Sequence, residues 1–173
     1  MTEDSLAESS MNTEDPLAGS STGTTTPEGR LFLSLQGKWA LVRAIPGTGS
    51  VTGTAEFRPL RPDLLLYREE GRLELGTGQH HDVSREYHYL LEHDRIRVCF
   101  VEPPEFGRTM HTLRLDGSEA SDEHLCDQDL YTGHYRFDGP DRFTVDMRVR
   151  GPKKDYSMHT TYDRLPQVRA DLR

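Results

Sequence analysis

The sequence predicts an all-β protein, a closed antiparallel barrel of about ten strands. Three observations carry that expectation. From Leu31 onward apolar and polar residues alternate with period two, the spacing of strands that bury one face. The alternating runs are broken by Gly, Pro and Asp clusters of hairpin-loop length, which supply the turn dihedrals. The runs are also numerous, near 36–45, 50–59, 63–75, 82–92, 94–101, 108–115, 122–127, 130–138, 142–150 and 154–164. A meander of that length closes on itself, because closure leaves no exposed strand edge.

Each run has its own justification. Gly37-Lys38-Trp39 opens the first, after a short helix-like stretch around Leu31–Leu35, and Pro46-Gly47-Thr48-Gly49 ends it. Arg61-Pro62-Asp63 and Gly76-Thr77-Gly78 end the second and third, Glu92-His93-Asp94 the fourth, and Glu102-Pro103-Pro104 the fifth. Asp116-Gly117-Ser118, Asp138-Gly139-Pro140-Asp141 and Gly151-Pro152 are the later breaks. Side-chain parity is clean in three places. Val83, Arg85, Tyr87, Tyr89 and Leu91 share one face of their run, as do Ile96, Val98 and Phe100, and as do Phe143, Val145, Met147 and Val149.

The rest of the chain bounds the class. With 173 residues there is room for one domain with a substantial core. Residues 1–29 hold Glu3, Asp4, Glu8, Glu14, Asp15 and Glu28 but no Lys, Arg or aromatic residue. They are expected to be a disordered acidic tail, because such a composition buries too little surface to offset ordering entropy. They also contain a repeat, Thr2-Glu-Asp-Ser-Leu-Ala returning as Thr13-Glu-Asp-Pro-Leu-Ala, each copy led by a Met. The barrel domain is expected over 30–165, with 166–173 as a C-terminal tail. Most of the formal charge of −8 sits in the first tail, and the remainder interleaves both signs. That pattern argues against a nucleic-acid footprint. No apolar run approaches the roughly 20 residues of a membrane-spanning helix, and Met-Thr-Glu-Asp is no signal-peptide start. A cytoplasmic protein is expected, one that engages neither membrane nor nucleic acid. Cys99 and Cys126 are the only cysteines and form no Cys-x-x-Cys pair, so free thiols are expected.

Gly37-Lys38-Trp39 at the start of the first strand and Arg164 at the end of the last make the barrel lipocalin-like. They resemble the calycin signature, in which a tryptophan at the closed end stacks under an arginine from the final strand, held by cation–π attraction. Several blocks across residues 31–164 go further: Gly37-Lys-Trp39-x-x-x-Arg43, Gly53-Thr-Ala55-Glu-Phe57, Leu66-Tyr-Arg-Glu-Glu-Gly71, Arg85-Glu-Tyr87 and Val98-Cys-Phe100. Later ones are His124-Leu-Cys-Asp-Gln-Asp-Leu-Tyr131, Tyr135, Val149-Arg-Gly-Pro-Lys-Lys-Asp-Tyr156 and Tyr162-Asp-Arg164. Together these resemble the calycin-like domain of unknown function 6314. The resemblance implies the fold and no activity. Where that family carries a Phe-His pair before its sixth strand, this chain has Met110-His111 after Glu102–Gly107.

The candidate chemistry lies in the polar strand segments of the last third. Polar side chains facing inward cost free energy unless they are paired or wet, so their density points to a polar-lined cavity. A small, partly apolar molecule with an acidic or polar group would be bound by Tyr87, Tyr89, His111, Asp129, Tyr135, Arg148, Arg150, Lys153 and Tyr156. The alternative is a cofactor-independent acid–base enzyme, a cyclase, isomerase or lyase, with His124, Tyr131 and Asp155 as its catalytic groups. Neither reading calls for a cofactor or a metal, since the eight histidines are scattered without ligand spacing. Nucleophile elbows, phosphate loops and triad spacings are missing from the sequence.

Overall fold

A computed structural model describes residues 25–167. One helix, α1 (Pro27–Leu35), precedes ten strands: β1 (Gly37–Ile45), β2 (Gly49–Arg61), β3 (Leu64–Leu75), β4 (His80–Glu92), β5 (Arg95–Phe100), β6 (Thr109–Leu113), β7 (Glu119–Cys126), β8 (Asp129–Phe137), β9 (Arg142–Arg150) and β10 (Asp155–Arg164). The helix begins earlier than the sequence suggested. Thr26 caps it through a hydrogen bond from the Gly29 N–H at 3.0 Å, and Pro27 occupies its first turn, where a missing N–H costs nothing. Glu28 is buried, and its carboxylate accepts the Leu115 N–H at 2.9 Å. Residues 25–29 therefore belong to the folded domain and not to the tail expected over 1–29. The remainder of that tail, with its repeat, lies outside the described residues, as do 168–173.

The strands form one antiparallel sheet in the order β6-β5-β4-β3-β2-β1-β10-β9-β8-β7, with β1 pairing β10 across the chain termini of the barrel. The two edge strands β6 and β7 come together and complete the barrel. Across that seam the Thr112 N–H donates to Asp122 Oδ2 at 2.6 Å. At the β5–β6 register shift Val98 pairs His111 and Cys99 pairs Thr109, so Met110 is the extra residue of a bulge. The departure from the family's Phe-His pair is thus local. Met110 and His111 are both buried at this bend.

One end is plugged. Phe32 and Leu35 of α1 pack with Trp39, Phe57 and Phe143 in the main core. Trp39 Nε1 donates to the Leu35 carbonyl at 2.9 Å, and Arg164, its ladder partner, places its guanidinium 4.2 Å from the indole centroid. The same guanidinium donates to the carbonyls of Gln36, Ser34 and Pro140. It thereby satisfies acceptors left open where α1 ends. The expected Trp39–Arg164 plug is present. Because β1 runs away from this end, the turns 46–48, 127–128 and 151–154 and the loop 101–108 gather at the other, which is where a cavity can open.

Candidate functional site

Strand parity builds the site. On β1, Trp39, Leu41 and Arg43 alternate onto the buried face, and on β3 so do Leu65, Tyr67 and Glu69. Two formal charges therefore enter the barrel at positions where the pattern calls for apolar residues. They meet directly: Arg43 Nη1 and Nη2 donate to Glu69 Oε1 and Oε2 at 2.7 and 2.8 Å. Arg43 Nε donates to Thr160 Oγ1 at 2.8 Å, the Tyr67 hydroxyl donates to Glu69 Oε2, and Tyr67 and Tyr162 hydroxyls lie 2.9 Å apart. Opposite Glu69 on β4 stands its ladder partner Arg85, whose Nε is 4.0 Å from Glu69 Oε1.

Burial sets the electrostatics. It would raise the Glu69 carboxyl, but the Arg43 hydrogen bonds and charge, with Arg85 and Tyr67, outweigh it and hold the group below the usual carboxylate range. Burial likewise works against the charge of Arg43, and Glu69 more than restores it. The Tyr67 phenol is pushed well up by burial and by Tyr162 and Glu69, and Tyr162 is pushed up to about 12, chiefly by burial. At neutral pH the cluster is two guanidiniums, one carboxylate and protonated phenols.

These side chains surround an inner chamber of about 40 Å³, which Arg85, Tyr87, Tyr89 and Tyr135 also line. Above it, toward the open end, lies a vestibule of about 230 Å³. Arg85, Tyr87, Met110, Met147 and Met158 border both, so the two adjoin. The vestibule wall is completed by Phe100, Glu105, His124, Cys126, Tyr131 and Tyr156. His124 lies with its ring 5.6 Å from Phe100 and 6.4 Å from Tyr131, and its Nε2 has no hydrogen-bond partner among the described residues. Glu105 is neutralised by Arg108 at 2.6 Å.

His111 sits behind the wall. It is fully buried, with Nδ1 2.8 Å from the Tyr135 hydroxyl and Nε2 3.3 Å from the Tyr131 carbonyl. Burial lowers its pKa, so the ring is neutral. It reaches these partners by lying over Gly133, where any Cβ would stand 2.4 Å from His111 Cε1. The histidine is a strut from β6 to β8 across the seam.

Of the residues expected from sequence, the cavity gathers Tyr87, Tyr89, His124, Tyr131, Tyr135 and Tyr156. It does not gather Arg148, Arg150, Lys153, Asp129 or Asp155. Met147 and Val149 face inward on β9, so Arg148 and Arg150 face outward, by the same alternation. Arg148 pairs with Asp155 on the outer surface, where the Asp155 carboxylate is 70% exposed. The expected catalytic trio of His124, Tyr131 and Asp155 is therefore not assembled. Asp129 instead holds Lys154 at 2.7 Å at the turn beside Gly151, and Lys153 is exposed there. Lys154 leans over the rim to donate to the Tyr131 hydroxyl at 3.1 Å. Arg43, Tyr67, Glu69, Arg85 and Tyr162 went unassigned from sequence, although each lies in a block that carries the family resemblance. Cys99 and Cys126 are free thiols. No three His, Cys, Asp or Glu side chains among the described residues cluster as metal ligands.

Comparison with solved structures places this architecture among β-barrels. The S-type phycobiliprotein lyase CPES from Guillardia theta is similar at 10% identity, over 80% of this chain and 93% of that one, with a TM-score of 0.59. A redesigned β-barrel, mFAP1, bound to DFHBI, is similar at 13% identity, over 78% of this chain and 99% of that one, with a TM-score of 0.45. At such identities the first likeness is one of fold, and no curated protein matches the sequence. The family of unknown function DUF6314 matches residues 35–164, from the last turn of α1 to the last residue of β10, and the chain belongs to that family.

Proposed function

We propose that the protein binds a small, partly apolar molecule inside the barrel, entering at the end opposite the Trp39–Arg164 plug. The observation that carries this is a pair of adjoining cavities. A vestibule of about 230 Å³ walled by aromatic rings and methionines lies against a polar chamber. Such a gradient from apolar wall to a few convergent polar groups is the usual make-up of a ligand site. A barrel whose interior served only stability would fill that volume with side chains, since empty space forfeits dispersion contacts. Met110, Met147 and Met158 suit the role, because unbranched thioethers adjust to a guest and make favourable contacts with aromatic rings.

The test is a titration with prodan, a neutral solvatochromic dye. The expected result is a saturable, one-to-one rise in blue-shifted emission that Met158→Trp weakens by about tenfold or more, since an indole in the vestibule takes the guest's volume. A thermal melt of the variant controls for folding. No saturable signal, or equal affinity in a folded Met158→Trp protein, overturns the proposal.

A further inference from the structure

Resting on that binding role, we infer that the ligand is a monocarboxylate: its head enters the inner chamber against Arg85, and a flat conjugated or aromatic body fills the vestibule. The argument is one of unbalanced charge. Two guanidiniums enter this part of the barrel and one carboxylate accompanies them. Glu69 is committed to Arg43 through two hydrogen bonds of 2.7 and 2.8 Å, and to Tyr67 through one more. Arg85 reaches it only at 4.0 Å, beyond hydrogen-bond distance. Among the other charges near the cavity, Glu105 belongs to Arg108 and Lys154 to Asp129, while Asp122 is held by the Thr112 N–H at the seam and borders neither chamber. Among the described residues that border the cavity, Arg85 is the cation with no carboxylate closer than 4.0 Å.

Its placement fits the same conclusion. Arg85 borders both chambers, at the point where the apolar wall gives way to the hydroxyls. Its side chain keeps 40% exposure, and its strand position is an inward one. A guanidinium presents N–H groups in a planar fork that matches a carboxylate, and Tyr87 lines the same chamber. Charge decides between anions: a carboxylate brings one negative charge to one spare positive one, whereas a phosphate would bring up to two. The body is set by the vestibule, where Tyr87, Phe100, Tyr131 and Tyr156 offer ring faces and the methionines soft contacts.

The experiment compares cinnamate with cinnamamide, equal in shape and differing in charge, by calorimetry on the full chain and on Arg85→Met and Arg85→Lys. The expected result is that wild type prefers cinnamate by about tenfold or more, as a charge-assisted contact requires. Arg85→Met should bring the ratio within about twofold, and Arg85→Lys should keep part of it. The readout is the ratio within each variant, so a general loss of affinity does not mimic it. Equal binding of acid and amide to wild type, or a preference that survives Arg85→Met, overturns the carboxylate assignment and leaves the binding role standing. Failure of prodan, cinnamate and cinnamamide alike overturns both.

Discussion

Replacing Glu69 by Gln is the most informative perturbation of this barrel, because it removes one charge and little volume. The Arg43 and Glu69 side chains are 7% and 6% exposed, so water cannot replace the lost partner. The amide keeps one acceptor but turns its NH2 toward the Arg43 guanidinium, exchanging one of two hydrogen bonds for a donor–donor contact. Arg43 retains its bond to Thr160 and its positive charge, now without its bidentate counter-ion. Breaking a buried pair in this way costs about 3–5 kcal/mol, a large share of a typical domain's stability. For a domain of this size that is a fall in midpoint of roughly 6–20 °C. Removing both partners as Arg43→Met with Glu69→Leu should recover most of the loss, to within about 1–2 kcal/mol, since neither charge is then stranded. The Tyr67 hydroxyl can still pair with Tyr162. The acid limb carries an independent signature. Glu69 titrates below its unfolded value of 4.5, so its contribution is fully present above pH 4.5 and is lost as pH falls through the folded value. In Glu69→Gln that part of the acid destabilisation should vanish. Urea unfolding of the three proteins between pH 3 and 7 measures all of this. A cost below about 1 kcal/mol for Glu69→Gln, or a double variant no more stable than the single, would refute the reasoning.

Two further outcomes follow from other parts of the structure. Trp39→Ala empties the plug beneath Arg164 and should cost about 3–5 kcal/mol by urea unfolding; a cost below about 1 kcal/mol would mean that α1 closes the end without it. Gly133→Ala should cost about 1–3 kcal/mol by driving its Cβ into His111. Adding His111→Ala should relieve the clash, and strictly additive losses in that double-mutant cycle would show that the strut is not where the strain arises.

Much of the barrel could be read from the chain, and the reason is physical. Turn chemistry is local, so Pro46–Gly49, Asp116–Ser118 and Asp138–Asp141 announce hairpins without tertiary information. Period-two alternation announces the faces, and Trp39 with Arg164 announces the closed end. The start of α1 was harder, because Thr26, Pro27 and Glu28 have the composition of the tail that precedes them. The tertiary bond from the Leu115 N–H to Glu28, which the sequence does not show, ties them to the domain. The site was legible on one side. His124, Tyr131 and Tyr156 were found because polar density is high near them. That same criterion brought in Arg148, Arg150 and Asp155, which the alternation through Met147 and Val149 sends outward. Density measures how polar a segment is, and parity measures where its side chains go; only the second has spatial content.

Parity also explains why Arg43 and Glu69 were passed over, and what they are for. Arg43 is a lone charge among apolar inward residues, and Glu69 is masked by Arg68, Glu70, Arg72 and Glu74, which face outward on the same strand. Their meaning appears only when β1 and β3, separated by β2 in the sheet, bring them together across the interior. A pair satisfied this fully is a fixed object: two bonds to Arg43, one from Tyr67, and Thr160 behind the guanidinium leave it few alternative arrangements. Fixing it serves Arg85. If Glu69 were free to turn, it would swing to Arg85 and quench the unmatched charge at the mouth of the inner chamber. Held by Arg43, it stays 4.0 Å away, near enough to stabilise Arg85 and too far to occupy its fork. The buried pair thus acts on the ligand through a neighbour, and a protein lacking both Arg43 and Glu69 should remain folded while Arg85 loses the partner that positions it. The acid-over-amide preference of that double variant should fall toward unity even though Arg85 is intact. A preference equal to wild type would show that Arg85 does not depend on Glu69 for its position.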